Sequence, residues 1–381
     1  MTGPTMRRPF AAAMSEAVDP GAAAGEVIGA VLEQLAGEQP DVAVLFLSGP
    51  QIDFAEDVVA AVHATVDPVA MIAVSAAGVV GGGREVERGP GLSLWAGMTG
   101  AVRPIRMEAL DRSTILGVPD DLRTGDTILL VADPFSFPVE ALFHVLPDGV
   151  SVVGGLASAA SEAGGNRLWL DGEEYRNGAV GVVFPPGVAL PIVSQGCRPI
   201  GQPWVVTRCD QHLLHELAGR PAVERLNGLI ESLSPPDRLA AARGLHIGVV
   251  ANDHADEFSQ GDFLIRAVMG IEQATQAVAI GETVDVGQVV QFQVRDPASA
   301  SADLVELVGA DGRVNDGALV FTCNGRGTQL FPEPHHDAQI VGEVTDGGVA
   351  GMLCAGEIGP IGGRNALHGF TATVLAFRQL P

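Results

Sequence analysis

Three stretches of the chain open on one polar residue and run straight into apolar sequence. They are Asp41-Val-Ala-Val-Leu-Phe-Leu-Ser48, Asp126-Thr-Ile-Leu-Leu-Val-Ala-Asp133 and Asp316-Gly-Ala-Leu-Val-Phe-Thr-Cys323. Apolar runs without alternation predict strands buried on both faces. An amphipathic stretch follows each, predicting helices over 54–64, 139–145 and 335–344. Second apolar runs come next at 69–74, 150–153 and 349–353, then glycine-rich turns at 78–83, 154–165 and 356–363. Each segment closes on another strand, near 91–95, 179–184 and 369–377. The chain therefore reads as a repeated strand, helix, strand, glycine loop, strand. A helical crossover makes the first two strands parallel, and the glycine loop turns the third back antiparallel. The expected fold is α/β with α+β character: mixed sheets covered by helices, in two domains.

The pattern breaks between the second and third repeats. Phe184-Pro185-Pro186-Gly187, with Pro191 beyond it, reads as a linker. Residues 203–233 read as a hairpin and a helix that starts at Pro221, and 245–251, 263–271, 277–280 and 289–294 read as strands. The domains are expected at 25–186 and 187–381, after a tail at 1–24.

Composition narrows the function. With 381 residues and 47% hydrophobic positions the chain buries a sizeable core. The net charge of −24 excludes DNA, RNA and anionic membrane as partners, since each needs a basic footprint. All 22 basic residues are arginine, which removes Schiff-base lysines and the lysine of a phosphate loop. The four cysteines, Cys197, Cys209, Cys323 and Cys354, form no C-x-x-C pair, so neither a zinc site nor a disulfide framework is expected. Arg7-Arg8 precedes only a short apolar run interrupted by Ser15, Glu16 and Asp19, and no 18-residue apolar span exists. These features point to a reduced, cytoplasmic protein with no cofactor.

Polar chemistry is densest in the third repeat. Cys323-Asn324-Gly325-Arg326-Gly327 follows a predicted strand directly, where ligands of open α/β sheets bind. The glycines let backbone approach an anion, and the Arg326 guanidinium can grip a carboxylate. Glu357, ending the parallel strand, is expected beside Arg326. Together the two could hold the ends of a zwitterion such as an amino acid, or simply pair with each other. Cys323 takes the place of Ser48 and Asp133 in the other repeats. As a thiol near Arg326 it could be a nucleophile with His368 as base, or a structural cysteine. His212-x-x-His215 with Asp210 and Glu216 is a weak metal candidate, because a strand and turn would part the imidazoles. Asn252-Asp253-His254-Ala255-Asp256-Glu257 lacks the spacing of a calcium loop. His335-His336 reads as the exposed start of a helix.

The chain resembles the FIST family, which pairs an N-terminal and a C-terminal FIST domain. The blocks that carry the resemblance are Gly317-Ala-Leu-Val-Phe-Thr-Cys-Asn-Gly-Arg-Gly327, Gly351-Met-Leu-Cys-Ala-Gly-Glu-Ile-Gly-Pro360 and Leu367-His-Gly-Phe-Thr371. Looser matches are Asp41 to Ser48, Ser75-Ala-Ala-Gly78, Val153-Gly-Gly-Leu-Ala157 and Gly261-Asp-Phe-Leu-Ile-Arg-Ala-Val-Met-Gly270. The resemblance implies a sensory input module for small molecules, with amino acids as proposed ligands and a protein signalling partner downstream. At this length it is expected to stand alone, without an output module. The expected ligand site is Cys323, Asn324, Gly325, Arg326, Gly327 and Glu357, joined by Arg266 of the last block. A thiol enzyme for acyl transfer or amide hydrolysis, using Cys323 and His368, is the alternative.

Overall fold

Each repeat closes as its apolar pattern dictates. The computed structural model describes residues 8–251, 258, 260–310 and 312–378. The leading strands Val42–Ser48, Thr127–Ala132 and Gly317–Cys323 pair in parallel with Ala70–Ala76, Ser151–Leu156 and Val349–Cys354. The return strands Gly91–Gly97, Ala179–Phe184 and Thr371–Phe377 run antiparallel along the other edge of the leading strand. Continuous burial of the leading strands has a direct cause. In Val42–Ser48, Val42, Val44 and Phe46 enter one core while Ala43, Leu45 and Leu47 enter another.

The glycine loops are more than turns. Each carries a hairpin that leaves its own repeat and extends the sheet of another. Val79–Gly81 with Arg84–Val86, from the first repeat, joins Val349–Cys354 of the third. Leu168–Leu170 with Glu173–Tyr175, from the second, joins Ala70–Ala76 of the first. Glu357–Ile361 with Arg364–His368, from the third, joins Ser151–Leu156 of the second. The exchange runs once around the three repeats and covers every parallel strand's open edge. Within the second repeat the parallel pair needs close backbone approach at Gly154 (φ +152°), where a Cβ would lie 1.8 Å from the Leu130 carbonyl oxygen.

One core holds the inner faces of all three sheets. At its centre the return strands each deliver an aromatic ring. Trp95 lies 4.7 Å and Phe184 5.3 Å from Phe377, centroid to centroid. The outer faces are covered by helices, Pro20–Gln34 and Ala55–Val66 on the first sheet and Val139–Val145 on the second. Leu304 and Val308, from the last turns of helix Pro297–Gly309, and helix His336–Glu343 cover the third. Residues 10–24 are therefore not a tail. Phe10–Ser15 pairs with Gly91–Gly97, and Pro20 opens a helix capped by Asp19, whose carboxylate accepts from the Ala22 N–H.

Two compact units emerge. One gathers residues 1–193, 304–367 and 371–381 and contains all three repeats. The third repeat thus groups with the first two, although the sequence boundary at 186/187 parts them. The other unit gathers residues 194–303 and 368–370. In it, Leu245–Val250, Val289–Arg295, Trp204–Asp210, Leu213–Leu217, Ala277–Ile280 and Phe263–Glu272 pair antiparallel in a closed ring. Closure gives each of these six strands a partner on both sides. Helix Ala222–Ser232 contributes Ala222, Leu226 and Leu229 to the barrel's apolar core. Among the described residues no helix is long and apolar enough to cross a membrane.

The aromatic centre sets a stability prediction. Trp95→Ala removes a fully buried ring and is expected to cost about 3–5 kcal/mol. Trp95→Phe loses chiefly the indole donor to the Gly348 carbonyl and should cost about 1 kcal/mol. Urea unfolding followed by circular dichroism distinguishes the two.

Candidate functional site

The rim of the third sheet is built by a tight turn after the leading strand. Asn324 N–H donates to the Cys354 carbonyl and Arg326 N–H to the Cys323 carbonyl, which swings the chain back toward the helix layer. Gly327 sits at φ +52°, a left-handed conformation that favours glycine, with the Glu87 carboxylate 2.5 Å from where a Cβ would stand. The turn buries the Arg326 side chain completely. Its guanidinium donates in a fork to Asp337, Nε to Oδ2 at 2.7 Å and Nη2 to Oδ1 at 2.8 Å, and lies over the Phe331 ring. Nη1 has no hydrogen-bond partner among the described residues.

Asp337 occupies the first turn of helix His336–Glu343, where the helix dipole favours an anion. It also accepts from Thr322 Oγ1 at 2.6 Å and sits 2.9 Å from His336 Nδ1. Burial alone would raise its pKa, but Arg326, His336 and Thr322 hold it well below the usual carboxylate range.

Two further carboxyls share this rim. Glu357 opens the third repeat's hairpin, and its Oε2 accepts from Thr371 N–H and Oγ1 while Oε1 has no partner. Burial pushes it up to about 8, against hydrogen bonds from Thr371 and the Cys323 thiol and the charge of Arg326. Glu85 arrives on the first repeat's hairpin. Its Oε1 accepts from Ala338 N–H, and Oε2 is buried without a donor. Burial and then the Asp337 charge push it up to about 7. Beside these groups opens a cleft of about 560 Å³, lined by Ala77, Glu85, Glu87, Arg88, Asn324, Thr328, Gln329, Pro334 and Leu353.

The structure thus gathers Cys323, Asn324, Gly325, Arg326, Gly327 and Glu357 at one rim. The ion-pair mate of Arg326 within the protein is not Glu357 but Asp337, eleven positions on. Asp337, Thr322 and Glu85 escape sequence reading because nothing in their local spacing ties them to Arg326. Arg266 belongs to the barrel unit, on Phe263–Glu272, donating to Glu282 and to the Ile265 carbonyl. His368 is buried and also groups with that unit. His335 and His336 are half-buried rather than exposed, because His335 Nδ1 accepts from Glu85 N–H and His336 stacks on Phe331. His212 lies in a turn and His215 on a strand, and no group of three potential metal ligands occurs among the described residues. The segment 252–257 lies outside the described residues. At the equivalent rim positions, Asp133 accepts from Asn166 and Ser136, and Ser48 donates to the Gly89 carbonyl.

The FIST N domain model matches residues 41–220 and the FIST C domain model matches residues 222–360. The chain belongs to the FIST family, whose domains are regarded as sensory and ligand-binding. It is 42% identical over 367 residues to the uncharacterized protein Mb0898c of Mycobacterium bovis, covering 93% of this chain and 95% of that one. It is 41% identical over 375 residues to the uncharacterized protein Rv0628c of Mycobacterium tuberculosis, covering 96% and 98%.

Two predictions follow from the buried charges. Arg326→Ala strands Asp337 without its cation and should cost about 3–5 kcal/mol, whereas Arg326→Met combined with Asp337→Leu should cost much less. Glu357, raised from 4.5 to about 8, takes up a proton on folding between those pH values. Its contribution is full below pH 4.5 and is lost as pH rises toward 8. Glu357→Gln should therefore flatten the fall in melting temperature between pH 5 and 9; an unchanged slope would contradict the assignment.

Proposed function

We propose that the chain is a sensor that binds a small amine-bearing metabolite, an amino acid or a related carboxylate, in the cleft above Cys323–Gly327. One observation carries this reading. Two residues lining the cleft, Glu85 and Asn324, each hold a buried oxygen, Oε2 and Oδ1, that no donor among the described residues satisfies. Buried acceptors of this kind cost free energy unless a ligand supplies the hydrogens, and an ammonium group supplies three. Arg88, exposed at the same cleft, offers a guanidinium to the ligand's carboxylate. Arg326 then shapes the site through the turn and its fork to Asp337, and need not touch the ligand. The charge of −24 disfavours long-range attraction of an anion, so recognition rests on these local groups.

The alternative of a thiol enzyme at Cys323 is less well supported. The carboxyl facing that thiol is held protonated at neutral pH, which makes Glu357 a hydrogen-bonding acid rather than a base.

The test is a thermal-shift screen of the full chain against the amino acids and simple amines, with calorimetry on the hits. Glu85→Gln and Arg88→Ala should each weaken binding about tenfold or more while the melting temperature of the unliganded protein stays near wild type. Affinity should also rise with pH through about 7, because an ammonium prefers ionised Glu85, and Glu85→Gln should lose that dependence. A hit whose affinity ignores both substitutions overturns this placement.

A further inference from the structure

Cys323 and Cys354 end the leading and parallel strands of the third repeat and are register partners across that pairing. Partners in register project to the same face, here the one shared with Phe321 and Met352 of the central core. Neighbouring strands lie about 4.8 Å apart, within the roughly 4.4–6.8 Å between Cα atoms that a disulfide spans. The Cβ atoms would have to draw in to about 3.8 Å, so a bond here is strained and easily reduced.

The surroundings suit thiol chemistry. Gly325 N–H donates to Cys323 Sγ at 3.4 Å, and the Arg326 guanidinium acts on the same sulfur. Cys354 Sγ lies over Gly155, where any Cβ would sit 2.4 Å from it, so the bare glycine gives this sulfur its room. The two thiols are close enough to act on each other electrostatically. Cys323 is the more accessible, 9% exposed against 0%, and precedes Asn324 of the cleft wall.

We infer that Cys323 and Cys354 form a reversible cross-strand disulfide in response to a small peroxide, making the rim of the third repeat a redox modification site. The Cys323 thiolate attacks one oxygen of hydrogen peroxide; the O–O bond breaks, and hydroxide leaves and takes a proton. The Cys354 thiol then attacks the resulting sulfenic sulfur, the S–S bond forms, the S–O bond breaks and water departs. Two thiols and one peroxide become one disulfide and two waters. No ligand in the cleft is required.

The full-length reduced protein, treated with hydrogen peroxide, should lose about 2 Da by intact mass. Non-reducing peptide mapping should join Cys323 to Cys354, and dithiothreitol should restore the mass. Cys323→Ser and Cys354→Ala should each abolish the loss, and their thermal melts show that each is folded. If either variant fails to fold, the mapped peptide of the wild type decides alone. An unchanged mass, oxygen adducts of about 16 or 32 Da without the loss, or a bond to Cys197 or Cys209 would overturn the inference.

Discussion

The open edge of a parallel strand is what this architecture answers to. A leading strand is protected by neighbours on both sides, but its parallel partner has hydrogen-bonding groups along one side with nothing to satisfy them. Each repeat covers that edge with a hairpin borrowed from another, and the loan passes around all three. The inner faces are thereby pressed together, so Trp95, Phe184 and Phe377 meet although each sits on a different sheet.

The rim shows what the exchange does for chemistry. Glu85 is supplied by the first repeat, Cys323 and Arg326 by the third, and the cleft between them draws residues from both. Three buried carboxyls, Glu85, Glu357 and Asp337, and one buried guanidinium lie together at this rim. Only Asp337 receives the full cation, and it is held ionised; the other two are pushed toward their neutral forms. The same burial that would be costly for three free anions becomes tolerable because two of them keep their protons.

Much of this was legible in the chain. Strands buried on both faces announce themselves by unbroken apolar sequence, which is why Val42–Ser48, Thr127–Ala132 and Gly317–Cys323, and their parallel and antiparallel partners, follow from pattern alone. Helices Pro20–Gln34 and Pro297–Gly309 did not, because alanine and glycine give them little contrast between faces. The hairpins inside the glycine loops look like turns in the sequence, since their strands are only three to five residues long and their partners lie in other repeats. At the site, Cys323, Arg326 and Glu357 were visible as chemistry at strand ends. Asp337 was not: a carboxylate at a helix start has an ordinary local role, and only tertiary packing turns it toward Arg326.

The cyclic hairpin exchange also bears on how the chain is made. The first sheet cannot be completed until the second repeat's hairpin exists, and the second sheet waits for the third repeat's. During synthesis the parallel strand of the first repeat is an uncovered edge until about residue 175 has emerged, and that of the second until about residue 368. Contacts so distant in sequence slow folding and prolong exposure of sticky edges. A chain stopped anywhere short of its last strands would leave the ring unclosed, so premature termination would produce an aggregation hazard rather than a smaller working protein.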